Sequence, residues 1–369
     1  MRYYIIAGEA SGDLHASALM NQLSSKDTDA DFRVWGGDLM EAAGGVLVKH
    51  YRDLAFMGFW EVLKNIRTIL ANFRLCKTDI LDYRPDVLIL VDYPGFNLRI
   101  AKWAKKMGIK VFYYISPQVW AWNSGRVYGI KTSVDEMFVI LPFEADFYAK
   151  YNFKVHFVGH PLLDVVDNFN QDQQKTGLTV QPNNKPIIAL LPGSRKQEIK
   201  RMLPIMLEIT DQFPDYQFVV AGAPGISKDF YESLLSEVTI GIVENQTYAL
   251  LGKAKAALVT SGTATLETAL FGVPQVVCYR GNQWSYYLAR QLVNVDFIAL
   301  VNLIMSRKVV TELIQSDLNT TNLIKELKNI LEGEERQTMK SAFMDLREKL
   351  GNKGASERTA SLIQEFLKK

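Results

Sequence analysis

The sequence predicts an α/β protein of two doubly wound domains with a helical C-terminal tail. Three observations carry that expectation. Short apolar runs alternate with helix-period stretches, turns of Gly, Ser or Pro separate them, and 369 residues are too many for one ordinary core. The runs fall at residues 3–7, 87–91, 111–115, 137–141 and 155–158, then at 187–191, 218–221, 240–243, 256–259 and 275–279. Strands alternating with helices mean βαβ units and parallel sheets. The runs are too many for one simple sheet, so two Rossmann-like domains facing a central cleft are expected. Residues 164–185 are polar and rich in Asn and Gln, with Pro182 and Pro186 near the end, which reads as a linker. The first domain is then 1–168 and the second 185–340. Beyond about residue 317 no strand pattern remains. The helical tail, 341–369, is free to pack back on the first domain. No solenoid repeat or low-complexity tract interrupts this order.

Composition narrows the function. Hydrophobic residues are 48% and charged residues 22%, as in a soluble globular protein. The net charge of +2 is dispersed along the chain, which argues against nucleic acid as a partner but suits an anionic substrate or a membrane surface. The two cysteines, Cys76 and Cys278, have no zinc-ligand spacing and read as reduced thiols. The apolar start is cut by Glu9, too early for a signal peptide, and no run approaches the ~18 apolar residues of a membrane span. A cytoplasmic protein, at most lying on a membrane, is expected.

In doubly wound sheets ligands sit beyond the carboxyl ends of the strands, so the residues after each run are the candidates. Glu9 follows the first run, placed to bind a hydroxyl or accept a proton. Ser11 and Asp13 either line the cleft or cap the next helix. The run 87–91 stops at Asp92, and Pro94 and Gly95 then force a turn. Asp92 is placed for general-base work; the alternative is a helix cap, for which Asn97 is also available. Gln118, Trp120 and Trp122 follow the run 111–115. The indoles either stack on a sugar or acyl chain or belong to the core. His160 either assists catalysis or simply ends a turn. Arg195 stands near a helix N-terminus, where it opposes the dipole unless an anion such as a diphosphate is bound. Ser261, Gly262, Thr263, Ala264 and Thr265 are small enough for a phosphate to approach the backbone. Glu267, one turn on, reaches a ribose diol. A capping box is the rival reading, but it needs Ser or Thr three residues earlier, where this chain has Ala264.

Two stretches remain. Asp27, Asp29 and Asp31 imitate a calcium loop, but Phe32 stands where Gly is required, so they read as solvated surface and no metal site is expected. Residues 56–73 are amphipathic. Phe59, Leu63, Ile66, Leu70 and Phe73 recur at helical spacing, Val62 and Ile69 widen the stripe, and Lys64, Arg67 and Arg74 border it. A helix lying in a membrane interface fits this pattern, and so does a core helix.

Six motifs together resemble one family. AGEASGDLH (7–15), VDYPGFN (91–97), ISPQVWAW (115–122), VGHPLLD (158–164), LLPGSRKQEI (190–199) and SGTATLETA (261–269) are similar, in order and spacing, to the lipid-A-disaccharide synthase family, over residues 3 to about 315. The resemblance implies a GT-B fold and an inverting transfer that needs no metal or other cofactor. The donor would be UDP-2,3-diacylglucosamine and the acceptor 2,3-diacylglucosamine 1-phosphate. The products would be the β-1,6-linked disaccharide 1-phosphate and UDP, on the cytoplasmic face of the inner membrane of a Gram-negative bacterium. Asn302 also matches a family position. Arg280 stands where Lys is common and Val301 where Pro is common. On this reading Asp92 is the base, with Glu9 as the alternative; Arg195 and the N–H groups of 263–265 hold the diphosphate, and Glu267 holds the ribose. A homo-oligomer is left open. So are two other classes: another GT-B enzyme acting on UDP-N-acetylglucosamine, either an epimerase or a soluble glycosyltransferase, and a non-catalytic UDP-sugar-binding module. The first has no need of the apolar 56–73 stretch, the second no use for Asp92.

Overall fold

The computed structural model describes residues 1–54, 65–122, 124–172, 178, 185–235, 240–281 and 296–368. The chain divides into two compact units, Met1–Pro161 with Gly351–Lys369, and Leu162–Leu350. The division falls ahead of the expected linker. Leu162–Asp172 is a helix of the second unit, with Leu162, Leu163 and Val166 buried. Its Asn and Gln content masked that apolar stripe.

The first unit holds β1 (Arg2–Ala7), β2 (Asp31–Gly36), β3 (Val46–His50), β4 (Val87–Val91), β5 (Val111–Tyr114), β6 (Glu136–Val139) and β7 (His156–Phe157). They form one sheet of order β3-β2-β1-β4-β5-β6-β7, parallel throughout. The second unit holds β8 (Ile187–Leu191), β9 (Gln217–Gly222), β10 (Gly241–Glu244), β11 (Ala254–Thr260), β12 (Gln275–Tyr279) and β13 (Thr311–Ile314). Their order is β10-β9-β8-β11-β12-β13, again all parallel. In each sheet the strand order reverses once, between β1 and β4 and between β8 and β11. Those reversals are where an open α/β sheet leaves a crevice for ligand. The register pairs Ala7 with Val91 and Leu191 with Val259. Glu9 and Asp92 therefore follow neighbouring strands, as do Arg195 and Ser261.

The strands β1, β4, β8 and β11 are apolar because helices cover both faces of a parallel sheet. Below the first sheet, Trp35 Nε1 donates to the Tyr4 hydroxyl at 2.8 Å, and that hydroxyl donates to Asp79 at 2.7 Å. Arg33 Nε also donates to Asp79, at 2.8 Å. This network fastens the helix Ile66–Tyr83 to β1 and β2. Cys76 and Ile80 of that helix are buried, and Phe73 stacks on Phe96 with centroids 4.4 Å apart. Phe73 is thus core. Ile69 is partly covered, whereas Ile66 and Leu70 lie about half exposed, at 49% and 52%. Phe59, Val62 and Leu63 fall outside the described residues. Among those described, no helix is long and apolar enough to cross a membrane.

The helical tail is divided between the units. Thr320–Glu332 and Glu334–Lys349 stay with the second, where Arg336 donates to the Lys255 carbonyl at 2.7 Å. Gly351 and Gly354 then take φ of +88° and +89°, turns that a side chain would strain. They lead into Ala355–Leu367, which packs on the first unit. There Arg358 Nε donates to the Val158 carbonyl and Lys110 Nζ to the Phe366 carbonyl, both at 2.9 Å.

Candidate functional site

At the reversal of the first sheet the backbone is strained. Asp92 and Tyr93 have φ of +44° and +49°, and Ile115, just past β5, has +65°. Such non-glycine conformations cost about 1–3 kcal/mol each and persist only where the surroundings hold them. Here they are held. Asn97 Nδ2 donates to the carbonyls of Asp92 (2.8 Å), Val91 (3.2 Å) and Ile6 (3.3 Å), joining the ends of β1 and β4. The Tyr113 hydroxyl donates to the Asp92 carbonyl at 2.5 Å. The Tyr93 ring lies where a Cβ on Gly8 would meet it at 2.2 Å, so only glycine fits there.

The result is a carboxylate at the strand end with unusual chemistry. Burial first, and the Glu9 charge second, push Asp92 up to about 7, while the Tyr93 N–H pulls the other way. A base poised near neutrality suits proton abstraction. Asp92 does not cap the next helix, Pro94–Lys106, whose N-cap is Tyr93 and which has no side-chain cap. Glu9 is the N-cap of Ala10–Lys26, again without a side-chain bond, and is half-buried.

Other expected residues take different places. Asn97 is 0% exposed, and its Nδ2 donates to the three carbonyls, stapling the strand ends together. Asp13 is 3% exposed. Its oxygens accept the N–H groups of Gly37 (2.8 Å), Met40 (3.1 Å) and Leu39 (3.2 Å), capping the helix Asp38–Ala42 rather than its own. Ser11 is exposed in the first helical turn. His160 is buried. Burial, and then the neighbouring His15, lower it to about 3, so it stays neutral. Gln118 is exposed, and Trp120 is half-buried with its Nε1 donating to Glu144 at 3.3 Å.

In the second unit Arg195 is the N-cap of Lys196–Leu207 and is half-exposed. Its conflict with the helix dipole is answered partly within the chain. Glu198 Oε1 lies 3.3 Å from the Arg195 guanidinium, and its Oε2 accepts the Ser194 N–H at 3.2 Å. Past β11, Gly262 has φ +148° and opens the helix Thr263–Leu270, which carries no side-chain cap. Thr263 is exposed and Ala264 half-buried, and the Thr265 N–H donates to the Gly262 carbonyl at 3.1 Å. Ser261 donates to the Ile298 carbonyl at 3.1 Å and Thr265 to the Gly262 carbonyl at 2.8 Å, so both hydroxyls shape the turn. Glu267 accepts the Tyr248 hydroxyl at 2.7 Å. Burial pushes Glu267 up and that bond pulls it down. Tyr248 packs against Phe169 and Phe271, at 5.8 and 5.4 Å.

Asn302 departs most from expectation. It is 0% exposed and takes the N–H groups of Val309 and Val310 on Oδ1, while Nδ2 donates to the Val310 carbonyl and to Glu312. Each of these bonds stays inside the unit and ties the helix Leu300–Met305 to β13 and the turn before it. Arg280 likewise donates to the carbonyls of Gln315 and Leu318. Tyr248 and Glu144 were not foreseen from sequence, although each lies in the first turn of a helix that follows a strand, β10 and β6 respectively. Among the described residues no group of three or more His, Cys, Asp or Glu is clustered to hold a metal ion.

Known proteins resemble this chain in sequence and in fold. The family model described as lipid-A-disaccharide synthetase matches residues 3–366. The lipid-A-disaccharide synthase of Syntrophus aciditrophicus is 40% identical over 373 residues, covering 99% of this chain and 97% of its own. That of Nitrosococcus oceani is 40% identical over 371 residues, covering 98% and 95%. Among solved structures, the UDP-GlcNAc 2-epimerase of Neisseria meningitidis bound to UDP-GlcNAc superposes with a TM-score of 0.69 at 14% identity, covering 99% of this chain and 100% of its own. A glycotransferase of kitacinnamycin gives 0.68 at 14%, covering 99% of each chain. At that identity the likeness is one of fold, the GT-B type, which is common to transferases and epimerases. The sequence relatives decide between them: this chain belongs to the lipid-A-disaccharide synthase family.

Proposed function

We propose that this chain joins UDP-2,3-diacylglucosamine to 2,3-diacylglucosamine 1-phosphate, releasing UDP and the β-1,6-linked disaccharide 1-phosphate. The single observation that carries the chemistry is Asp92, a carboxyl raised to about 7 at the sheet reversal. Asp92 takes the proton from the acceptor 6-hydroxyl as that oxygen attacks the donor's anomeric carbon. The bond to UDP breaks on the opposite side, which inverts the configuration. Glu9 keeps Asp92 from ionising too readily and stands as the alternative base. Charge that develops on the departing diphosphate is met by Arg195 and by the N–H groups at the start of Thr263–Leu270, fixed dipoles that need no reorganisation during the step. Glu267, oriented by Tyr248, holds the ribose hydroxyls. Ile66 and Leu70, with the stretch before them, rest on the cytoplasmic face of the inner membrane, where both lipid substrates reside.

Turnover with acylated and deacylated UDP-sugars, in EDTA, tests the reading. Disaccharide 1-phosphate and UDP should form from the diacylated pair only. Epimerisation or transfer of UDP-N-acetylglucosamine at a comparable rate would favour the other GT-B activities. Loss of turnover in EDTA, restored by magnesium, would overturn the metal-free mechanism.

A further inference from the structure

The segment 115–122 leaves β5 through the strained Ile115, carries Ser116, Gln118 and Trp120, and ends in the short helix Val119–Trp122. What fixes it comes from the next βα turn. Glu144, at the start of the helix Glu144–Ala149, is 1% exposed. Its Oε2 accepts the Leu141 N–H at 2.9 Å and the Ile140 N–H at 3.3 Å, and its Oε1 accepts Trp120 Nε1 at 3.3 Å. The Ser116 hydroxyl donates to the Pro117 carbonyl at 3.0 Å and lies 2.7 Å from the Tyr148 hydroxyl. The Trp120 ring meets Phe143 edge-on, with centroids 4.9 Å apart.

Three donors thus converge on one buried carboxylate, and each of these donors is neutral. A buried charge satisfied only by neutral donors is costly to the fold. A glutamine would be less so, but its amide nitrogen would face an N–H and leave one donor unpaired. Only a carboxylate accepts from both turns at once. Two of its donors come from the residues just after β6 and one, the indole, from the segment after β5, so it ties one turn to the other and fixes the rotation of the indole.

We propose that Glu144 is a positioning residue for the transfer: its carboxylate locks the Trp120 indole so that the segment 116–122 presents a preformed wall to the acceptor sugar. This rests on the assignment of that segment to the acceptor. A site held by packed, hydrogen-bonded partners binds without the cost of ordering it, so loosening the wall weakens acceptor binding before it touches the chemistry.

Glu144→Gln, Trp120→Phe and the double variant test this, with kcat, acceptor KM, UDP affinity and thermal midpoint measured on the full chain. Glu144→Gln should raise acceptor KM about tenfold, the loss of one or two buried hydrogen bonds, with kcat less affected and UDP affinity unchanged. Its tryptophan fluorescence should shift, and that shift should vanish in the Trp120→Phe background. The double variant should be no worse than the poorer single one, since both remove the same contact. If Trp120→Phe raises acceptor KM while Glu144→Gln does not, or if the two effects simply add, the positioning role is overturned and the acceptor assignment survives. If Trp120→Phe leaves acceptor KM unchanged, the segment is not an acceptor wall and both statements fall. Equal losses in acceptor KM, UDP affinity and thermal midpoint would mark Glu144 as merely structural.

Discussion

Asp92→Asn should cripple the enzyme and stabilise the protein. The folded state holds the carboxyl at about 7 against an ordinary 3.8. A difference of about 3 units, at 1.36 kcal/mol each, sets an upper limit of about 4 kcal/mol on what ionised Asp92 costs the fold. The side chain keeps partial solvent contact, so screening reduces this to about 1–2 kcal/mol. At 2–4 °C per kcal/mol for a unit of this size, the Asn variant should melt roughly 2–8 °C higher at pH 8. The pH dependence has a definite sign. Below 3.8 the carboxyl is protonated in both states and costs nothing. Between 3.8 and about 7 the unfolded chain releases the proton and the folded one keeps it, so the wild type loses stability as pH rises. Above 7 the full cost is in place. The gap in melting temperature should therefore be smaller at pH 5 than at pH 8. Over the same range the wild-type kcat/KM should climb as the base ionises, and Asn should lower kcat by roughly 10²–10⁴-fold. Calorimetry at pH 5, 6.5 and 8 beside steady-state turnover reads all three. A melting gap that does not widen with pH would refute the raised carboxyl. A kcat within a few-fold of wild type would remove Asp92 as the base, and a Glu9→Gln variant that loses turnover would transfer the role.

On the donor side, Arg195→Ala and Glu267→Ala should each weaken UDP binding by on the order of 2 kcal/mol, the loss of one charge-assisted contact. Tyr248→Phe frees Glu267 and should cost about 1 kcal/mol; titration calorimetry in which all three bind UDP normally would put the donor elsewhere. Replacing Ile66 and Leu70 together with Gln should reduce sedimentation with anionic vesicles and leave the melting temperature unchanged. A drop in that temperature would mean these side chains pack against protein.

The parts of this fold that could be read from sequence are those where local chemistry and topology agree. β4 is five apolar residues stopped by Asp92, Pro94 and Gly95, and a buried parallel strand can hardly be written otherwise. β2, by contrast, spans Asp31–Gly36 and mixes Asp and Arg with Phe and Trp, because Arg33 is there to meet Asp79. β3 and β13 lie at sheet edges, where partial exposure permits Lys49, His50 and Glu312. Site residues divide the same way. Glu9, Asp92 and Arg195 follow strand ends, which topology alone makes informative. Asp13 and Asn302 sit in the right motifs, yet their partners are backbone groups 24 and 8 residues away, which no local pattern displays. Tyr248 and Glu144 carry no motif; their importance lies in the carboxylate or indole that each one meets across the fold.

The segment Gly351–Lys369 completes the first unit, although 162–350 lies between it and the rest of that unit. Synthesis proceeds from the N-terminus at about 5–20 residues per second, so the first sheet waits roughly 10–40 s for its last helix while the second unit is made. During that wait Phe112, Val158 and the Lys110 ammonium lack the partners that Phe366 and Arg358 later supply. The unit begun first is the one finished last. A stop codon near residue 350 would leave the second unit intact and injure the one that carries Asp92, and a fusion at the C-terminus would load the opposite end of the chain from the one it adjoins in sequence.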